Sequence, residues 1–179
     1  MTTSTIQPLN MDGDIIFKEL NMMEKQKLNL RPIDYYKEIK TLQFDSLGKM
    51  DRSYLQNFGI YNNELNDDEF MLRIRFPAGR VSNENLLIIA NTAVKYNLKI
   101  ILTARAGLQL HGLDLNNILE VFHILNDSGV CSWQTFGDNI RNITTDIFDG
   151  CGKNNLIETY PYIKEMEEFV LKVPQYVGL

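Results

Sequence analysis

The sequence predicts an α+β fold in which an antiparallel sheet carries two helices on one face and leaves the other face open. Three observations carry that expectation. Residues 70–76 and 108–111 alternate apolar and polar side chains, the period of strands buried on one face only. Residues 83–96 and 115–127 repeat apolar side chains at helical spacing. The patterns follow one another as β-α-β-β-α-β, the split unit in which the first and third strands are central.

The first strand is FMLRIRF. Phe70, Leu72, Ile74 and Phe76 alternate with Met71, Arg73 and Arg75, so two guanidinium groups stand side by side on the uncovered face. In the first helix Leu86, Ile89, Ala90 and Ala93 form the core stripe, and Ser82 or Asn83 is placed to cap it. Thr103 and Arg105 then share a face. In the next strand Leu108 and Leu110 point one way, Gln109 and His111 the other. Asp114 is the expected N-cap of the second helix, whose stripe is Leu115, Ile118, Leu119, Phe122 and Leu125, and Gly129 ends it. Val130 to Phe136 reads as the final strand. The whole is a ferredoxin-like βαββαβ half-domain, expected over residues 67–136, and its open face gathers Arg73, Arg75, Thr103, Arg105, Gln109 and His111. Such a face suits a flat, multiply anionic ligand, because arginine offers a rigid fork of donors that pairs bidentately with carboxylates.

Residues 1–66 read as a helical N-terminal extension packed on this domain. Helical patterns occur at IIFKELNMMEKQ, at RPIDYYKEIK, where Pro32 suits a first turn, and at MDRSYLQNFGIY. Past the final strand, GDNIRNITTDIFDGCG has the composition of a loop. Glu158 to Val173 then reads as a helix with Ile163, Met166, Phe169, Val170 and Val173 on one face.

Composition narrows the function. The chain has 179 residues, 44% of them apolar and 23% charged, as in an ordinary globular protein. A net charge of −5 argues against nucleic acid as the main partner. No apolar run approaches a membrane span, and MTTSTIQPLNMDGD lacks the features of a signal peptide, so the expected compartment is cytoplasmic. Cys131 and Cys151 cannot make a disulfide framework or a four-thiolate metal site, and His111 and His123 lack a recognised metal-ligand spacing.

The string MLRIRFPAGR, then Thr103, Arg105, Gln109, His111 and Gly112 in a T-x-R-x-x-x-Q-x-H-G pattern, then GDNIRN at Gly137 to Asn142, together resemble the sirohaem-dependent nitrite and sulfite reductases. The resemblance covers roughly residues 68–179. It implies that Arg73 and Arg141 contact the substrate anion and serve catalysis. It further implies that Arg75, Thr103, Arg105, Gln109, His111 and Asn142 bind the cofactor, with Arg105, Gln109 and His111 at macrocycle carboxylates. From the residues alone, Arg141 could instead pair with Asp138, and Arg73 and Arg75 could be solvated strand residues.

In that family sirohaem and a [4Fe-4S] cluster deliver six electrons to sulfite or nitrite, with two arginines and two lysines around the anion. The resemblance therefore implies that residues 137–179 begin a sirohaem and [4Fe-4S] domain. It implies a parent nitrite/sulfite reductase whose C-terminal half supplies the four cysteinates and the lysines. The chain by itself is then expected to hold neither cofactor, to be inactive, and to form a homo-dimer through the surface meant for that half. Sulfite versus nitrite, and the electron donor, stay open. One alternative is a free-standing regulatory module that binds a tetrapyrrole or small anion without catalysis; another is a precorrin-modifying enzyme. An RNA-recognition module shares the strand order but exposes aromatics where this chain has Met71, Arg73, Arg75, Gln109 and His111.

Overall fold

The computed structural model describes residues 49–63, 66–135, 140–153 and 155–172. The first two helical patterns of the N-terminal extension, Phe136, the residues Gly137 to Asn139 and the tail from Val173 onward lie outside the described residues. In chain order the elements are α1 (Lys49–Leu55), β1 (Ile60–Asn63), β2 (Asn66–Ile74), α2 (Asn83–Lys95), β3 (Lys99–Leu102), β4 (Leu108–Asp114), α3 (Ile118–Asp127) and α4 (Tyr160–Lys172). All strand pairs are antiparallel, in the spatial order β1-β2-β4-β3. The central pair, β2 and β4, holds the first and third strands of the βαββαβ reading.

Strand phase decides the core. Phe70, Leu72, Ile74, Leu108 and Leu110 are buried together with Ile89 of α2 and Val121, Phe122 and Leu125 of α3. Their neighbours Met71, Arg73, Gln109 and His111 therefore project from the other face. Ser82 caps α2, its hydroxyl accepting from the Asn85 N–H at 3.1 Å. Asp114 acts one turn earlier than a helix cap: its Oδ1 accepts from the Asn116 and Asn117 N–H groups, and α3 starts at Ile118. Gly129, at φ +90°, closes α3 while the Val130 N–H reaches back to the Leu125 carbonyl.

The expected final strand is replaced. The described part of that segment, residues 130–135, has no ladder, and the outer edge of β2 is occupied by β1, with Ile60 opposite Leu72 and Tyr61 opposite Met71. Two strands adjacent in sequence close a hairpin at little entropic cost, whereas a strand returning from beyond α3 must close a long loop. Residues 130–135 instead touch the end of β2 at one bond, Arg75 N–H to Cys131 carbonyl, 2.9 Å. They then turn along the 3-10 turn Gln56–Phe58, where Ser132 Oγ donates to the Phe58 carbonyl at 2.7 Å and the Gln134 N–H to that of Asn57 at 2.8 Å.

Three further corrections share a physical theme, the reach of the helical layer. The pattern MDRSYLQNFGIY is helical only through Leu55, then becomes the 3-10 turn, because Gly59 takes φ +82° and releases the chain into β1. Leu86 of the predicted α2 stripe is 49% exposed, since α2 is rotated to bury Ile89, Thr92 and Ala93. On α4 the buried side chains are Ile163, Glu167 and Val170, one face at i, i+4 and i+7 set against the turn Pro77–Gly79, while Met166 and Phe169 are each 56% exposed. No helix among the described residues is long and apolar enough to cross a membrane.

Candidate functional site

Register builds the site. The β2–β4 pairing places Arg73 directly opposite Gln109, and Met71 opposite His111 one row away. Arg73 is held from the β1 side: its guanidinium lies over the Tyr61 ring, 4.3 Å from the centroid, and Nη1 meets the Tyr61 hydroxyl at 3.4 Å. That hydroxyl donates to the Thr135 carbonyl at 3.0 Å. Burial pushes the Tyr61 phenol above its usual pKa, and the positive charge of Arg73 opposes this only in part, so the phenol stays protonated and keeps its donor. Arg73 Nε is buried without a hydrogen-bond partner.

Thr103 and Arg105, expected to share the open face, lie outside the ladder. β3 ends at Leu102, and residues 103–107 form the turn into β4. Thr103 spends its hydroxyl inside that turn, where Oγ1 accepts from the Gly107 N–H at 3.1 Å. Gly107 is required there because a Cβ would stand 2.8 Å from the Ile74 carbonyl oxygen. The turn sets Arg105 at an exposed position, while its carbonyl accepts from Asn142 Nδ2 at 2.8 Å, tying the turn to the loop that carries Arg141.

A cleft of about 190 Å³ results, lined by Arg73, Arg105 and Arg141 together with Thr103, Gln109 and Asn142. Arg75 also lines it, but not as an open-face arginine. It is buried: Nε pairs with Glu167 Oε2 at 3.2 Å, and Nη1 donates to the Ile140 carbonyl at 3.1 Å and that of Trp133 at 3.4 Å. The reason is that β2 ends at Ile74, so the alternation that would have set Arg75 beside Arg73 no longer applies. His111 stands outside the cleft lining and contacts it through Gln109, Nε2 to Oε1 at 3.0 Å. Among the described residues no carboxylate pairs with Arg73, Arg105 or Arg141. Asp138, the alternative partner for Arg141, lies outside them. Three guanidinium groups at one opening, without a carboxylate partner among the described residues, make a local positive potential on a chain whose net charge is −5.

A family model described as the nitrite/sulfite reductase ferredoxin-like half domain matches residues 63–128. A ferredoxin–nitrite reductase of Synechococcus elongatus is 30% identical over 157 residues, and that of Leptolyngbya laminosa is 28% identical over 159, each match covering 84% of this chain and 31% of the relative. Over residues 63–128 the chain carries a nitrite/sulfite reductase ferredoxin-like half domain. A sulfite reductase [NADPH] hemoprotein beta-component of Blochmanniella pennsylvanica is 41% identical over 75 residues, covering 41% of this chain and 13% of the relative. The NirA protein of Mycobacterium tuberculosis has the same fold, with a TM-score of 0.73 at 21% identity over 90% of this chain and 32% of that one. The chain thus spans about a third of the length of the curated nitrite reductases it matches.

Two residues at the site, both outside the matched stretch 63–128, escaped the sequence reading. Tyr61, which carries Arg73, sits in a stretch whose apolar spacing looked helical; the signal against it was Gly59 just ahead of Ile60 and Tyr61. Glu167, which holds Arg75, lies in a stripe of apolar α4 positions. A lone acid at i+4 from Ile163 and i−3 from Val170 was its only mark in the sequence.

Proposed function

We propose that this chain supplies the anion-facing arginines of a nitrite or sulfite reductase, a parent enzyme that reduces nitrite to ammonia or sulfite to sulfide. The single observation that carries the reading is the convergence on one cleft of Arg73, Arg105 and Arg141, none paired with a carboxylate among the described residues, beside a matched half domain. The donor set fits an anionic macrocycle: fixed cations, an amide at Gln109 and a buried Arg73 Nε still lacking an acceptor. The residues that would hold the carboxylates of sirohaem are Arg105, Gln109, Thr103, His111 and Asn142, with Arg75 behind them. The chemistry that sirohaem supplies when bound is electron transfer to the anion. A [4Fe-4S] cluster does not fit this chain, which has two cysteines, half-buried Cys131 and exposed Cys151, where a cluster needs four thiolates. The cluster ligands and further partners belong to the remaining part of the enzyme in this reading, and the isolated chain turns over neither anion.

Arg73 and Arg141 bind the anion and hold it by charge. A guanidinium stays protonated at any working pH, so these side chains act as fixed positive charges aimed at the oxygens and not as proton donors. As negative charge grows on a departing oxygen the attraction strengthens, which is what lowers a barrier instead of merely tightening binding.

In the longer enzyme, Arg73→Ala and Arg141→Ala are each expected to cut kcat/KM by the equivalent of about 2–4 kcal/mol while sirohaem content stays near normal. Arg105→Ala is expected to lower sirohaem occupancy and retain most activity per bound haem. Loss of haem with activity per haem intact in Arg73→Ala, or the reverse pattern in Arg105→Ala, would reject these roles.

A further inference from the structure

We propose that the buried pair Arg75–Glu167 is a positioning device that sets Arg141 at the cleft, an inference that rests on the reading of Arg141 as an anion contact. Both partners are 2% exposed. The segment carrying Arg141 is gripped on each side by one of them: Arg75 Nη1 donates to the Ile140 carbonyl at 3.1 Å, and Glu167 Oε1 accepts from the Ile143 N–H at 2.9 Å. The two grips are joined to each other by the 3.2 Å contact between Arg75 Nε and Glu167 Oε2. Arg75 is anchored at the end of β2 by its own N–H, bonded to the Cys131 carbonyl, and Glu167 is anchored in the middle turn of α4. A fixed frame of strand end and helix therefore spans residues 140–143, and the Arg141 side chain, which has no hydrogen bond or ion pair of its own among the described residues, takes its position from that frame.

Stability alone does not account for such a pair. Taking two charges out of water is expensive, and a well-packed apolar pair of similar volume is often as stable or more so. An apolar pair could not offer a donor to one peptide group and an acceptor to another three residues on. Arg75 Nη1 and Glu167 Oε1 meet backbone groups on either side of Arg141, and Nε and Oε2 meet each other, so the pair acts on the cleft through the segment that carries Arg141.

Amide hydrogen exchange on the full chain tests this, read at Ala78, whose N–H donates to the Ile143 carbonyl at 2.9 Å and makes no bond to Glu167, and in β2 and β4 as reference. In Glu167→Ala the Ala78 amide is expected to exchange at least about tenfold faster with β2 and β4 unchanged, since local opening is not global unfolding. Glu167→Gln keeps an acceptor for the Ile143 N–H and should recover part of the protection; if the alanine variant does not fold, the glutamine variant decides. Exchange that stays at the wild-type rate at Ala78, or that rises equally in β2 and β4, overturns the proposal. Titration with sulfite separates the two claims. Binding lost in Arg141→Ala but of wild-type strength in Glu167→Ala overturns positioning and supports the anion reading. A wild-type chain that does not bind sulfite, with the exchange change still seen at Ala78 and not in β2 and β4, counts against the anion reading and supports the positioning.

Discussion

Arg73 and Arg75 stand two apart in one strand-like run, yet one faces a cleft over a tyrosine ring and the other is buried against a glutamate. What separates them is the last residue of β2, Ile74: alternation governs side-chain direction only while the ladder lasts. The two cysteines divide in a similar way. Burial pushes the Cys131 thiol up, with the positive charge of Arg75 opposing it, so little thiolate forms there at neutral pH. Cys151 is exposed in the loop ahead of α4. Iodoacetamide near pH 7 is therefore expected to label Cys151 well before Cys131, as peptide mass mapping over time would show; equal rates would mean that the Cys131 pocket opens freely.

At the scale of elements, the joint before α4 is held by one carboxylate. Asp149 Oδ1 accepts from the Thr159 N–H at 2.8 Å and Oδ2 from that of Tyr160 at 3.1 Å, satisfying amides at the helix entry, while Arg80 donates to the Asp149 backbone carbonyl at 2.7 Å and also reaches Glu158. The Thr159 backbone bond, aided by the Tyr160 bond and the charge of Arg80, holds the Asp149 carboxyl below its ordinary range. A carboxyl with a depressed pKa in the folded state contributes its stabilisation in full above the unfolded value of about 3.9 and loses it as pH falls through the depressed value. Urea unfolding is thus expected to find Asp149→Asn less stable than wild type near neutral pH, with the gap narrowing in strong acid; a gap independent of pH would dismiss the ionised carboxylate as its source. The same scale shows what could be read in the sequence. Strand and helix periods placed the central pair and both covering helices, because burial on one face leaves its period in the residues. The edge strand β1 left no such trace: Ile60–Asn63 is four residues long, and its role is fixed by competition with residues 130–135 for one edge of β2. Of the proposed site, Arg73, Arg105 and Arg141 could be found as residue types at motif spacings. Tyr61 and Glu167 could not, since Tyr61 meets Arg73 only once β1 has paired with β2, and Glu167 meets Arg75 through a contact far along the chain.

For the whole molecule, the helical layer is narrower than the sheet it covers. Ile100 and Leu102 of β3 lie opposite Leu110 and Leu108, and so on the covered side, yet they are 41% and 80% exposed because α2 and α3 pack over β2 and β4 and stop short of that edge. Leu86, Leu87 and Val94 are exposed along α2 as well. Among the described residues no strand pairs with the outer edge of β3, and such an edge with apolar side chains offers both backbone groups and surface that gains by leaving water, with the nearby Lys99 a weak deterrent. Each fully buried leucine-sized side chain contributes about 1.5–3 kcal/mol, so covering two or three of these residues could offset a substantial part of the entropy lost on association. The chain by itself is accordingly expected to associate as a dimer or larger species as its concentration rises. Replacing Leu87 and Leu102 together by Lys should shift the equilibrium toward monomer with little change in thermal stability, since both side chains are already largely in water. Light scattering that finds wild type monomeric at high concentration, or the double variant associated as strongly as wild type, would exclude this face as the contact.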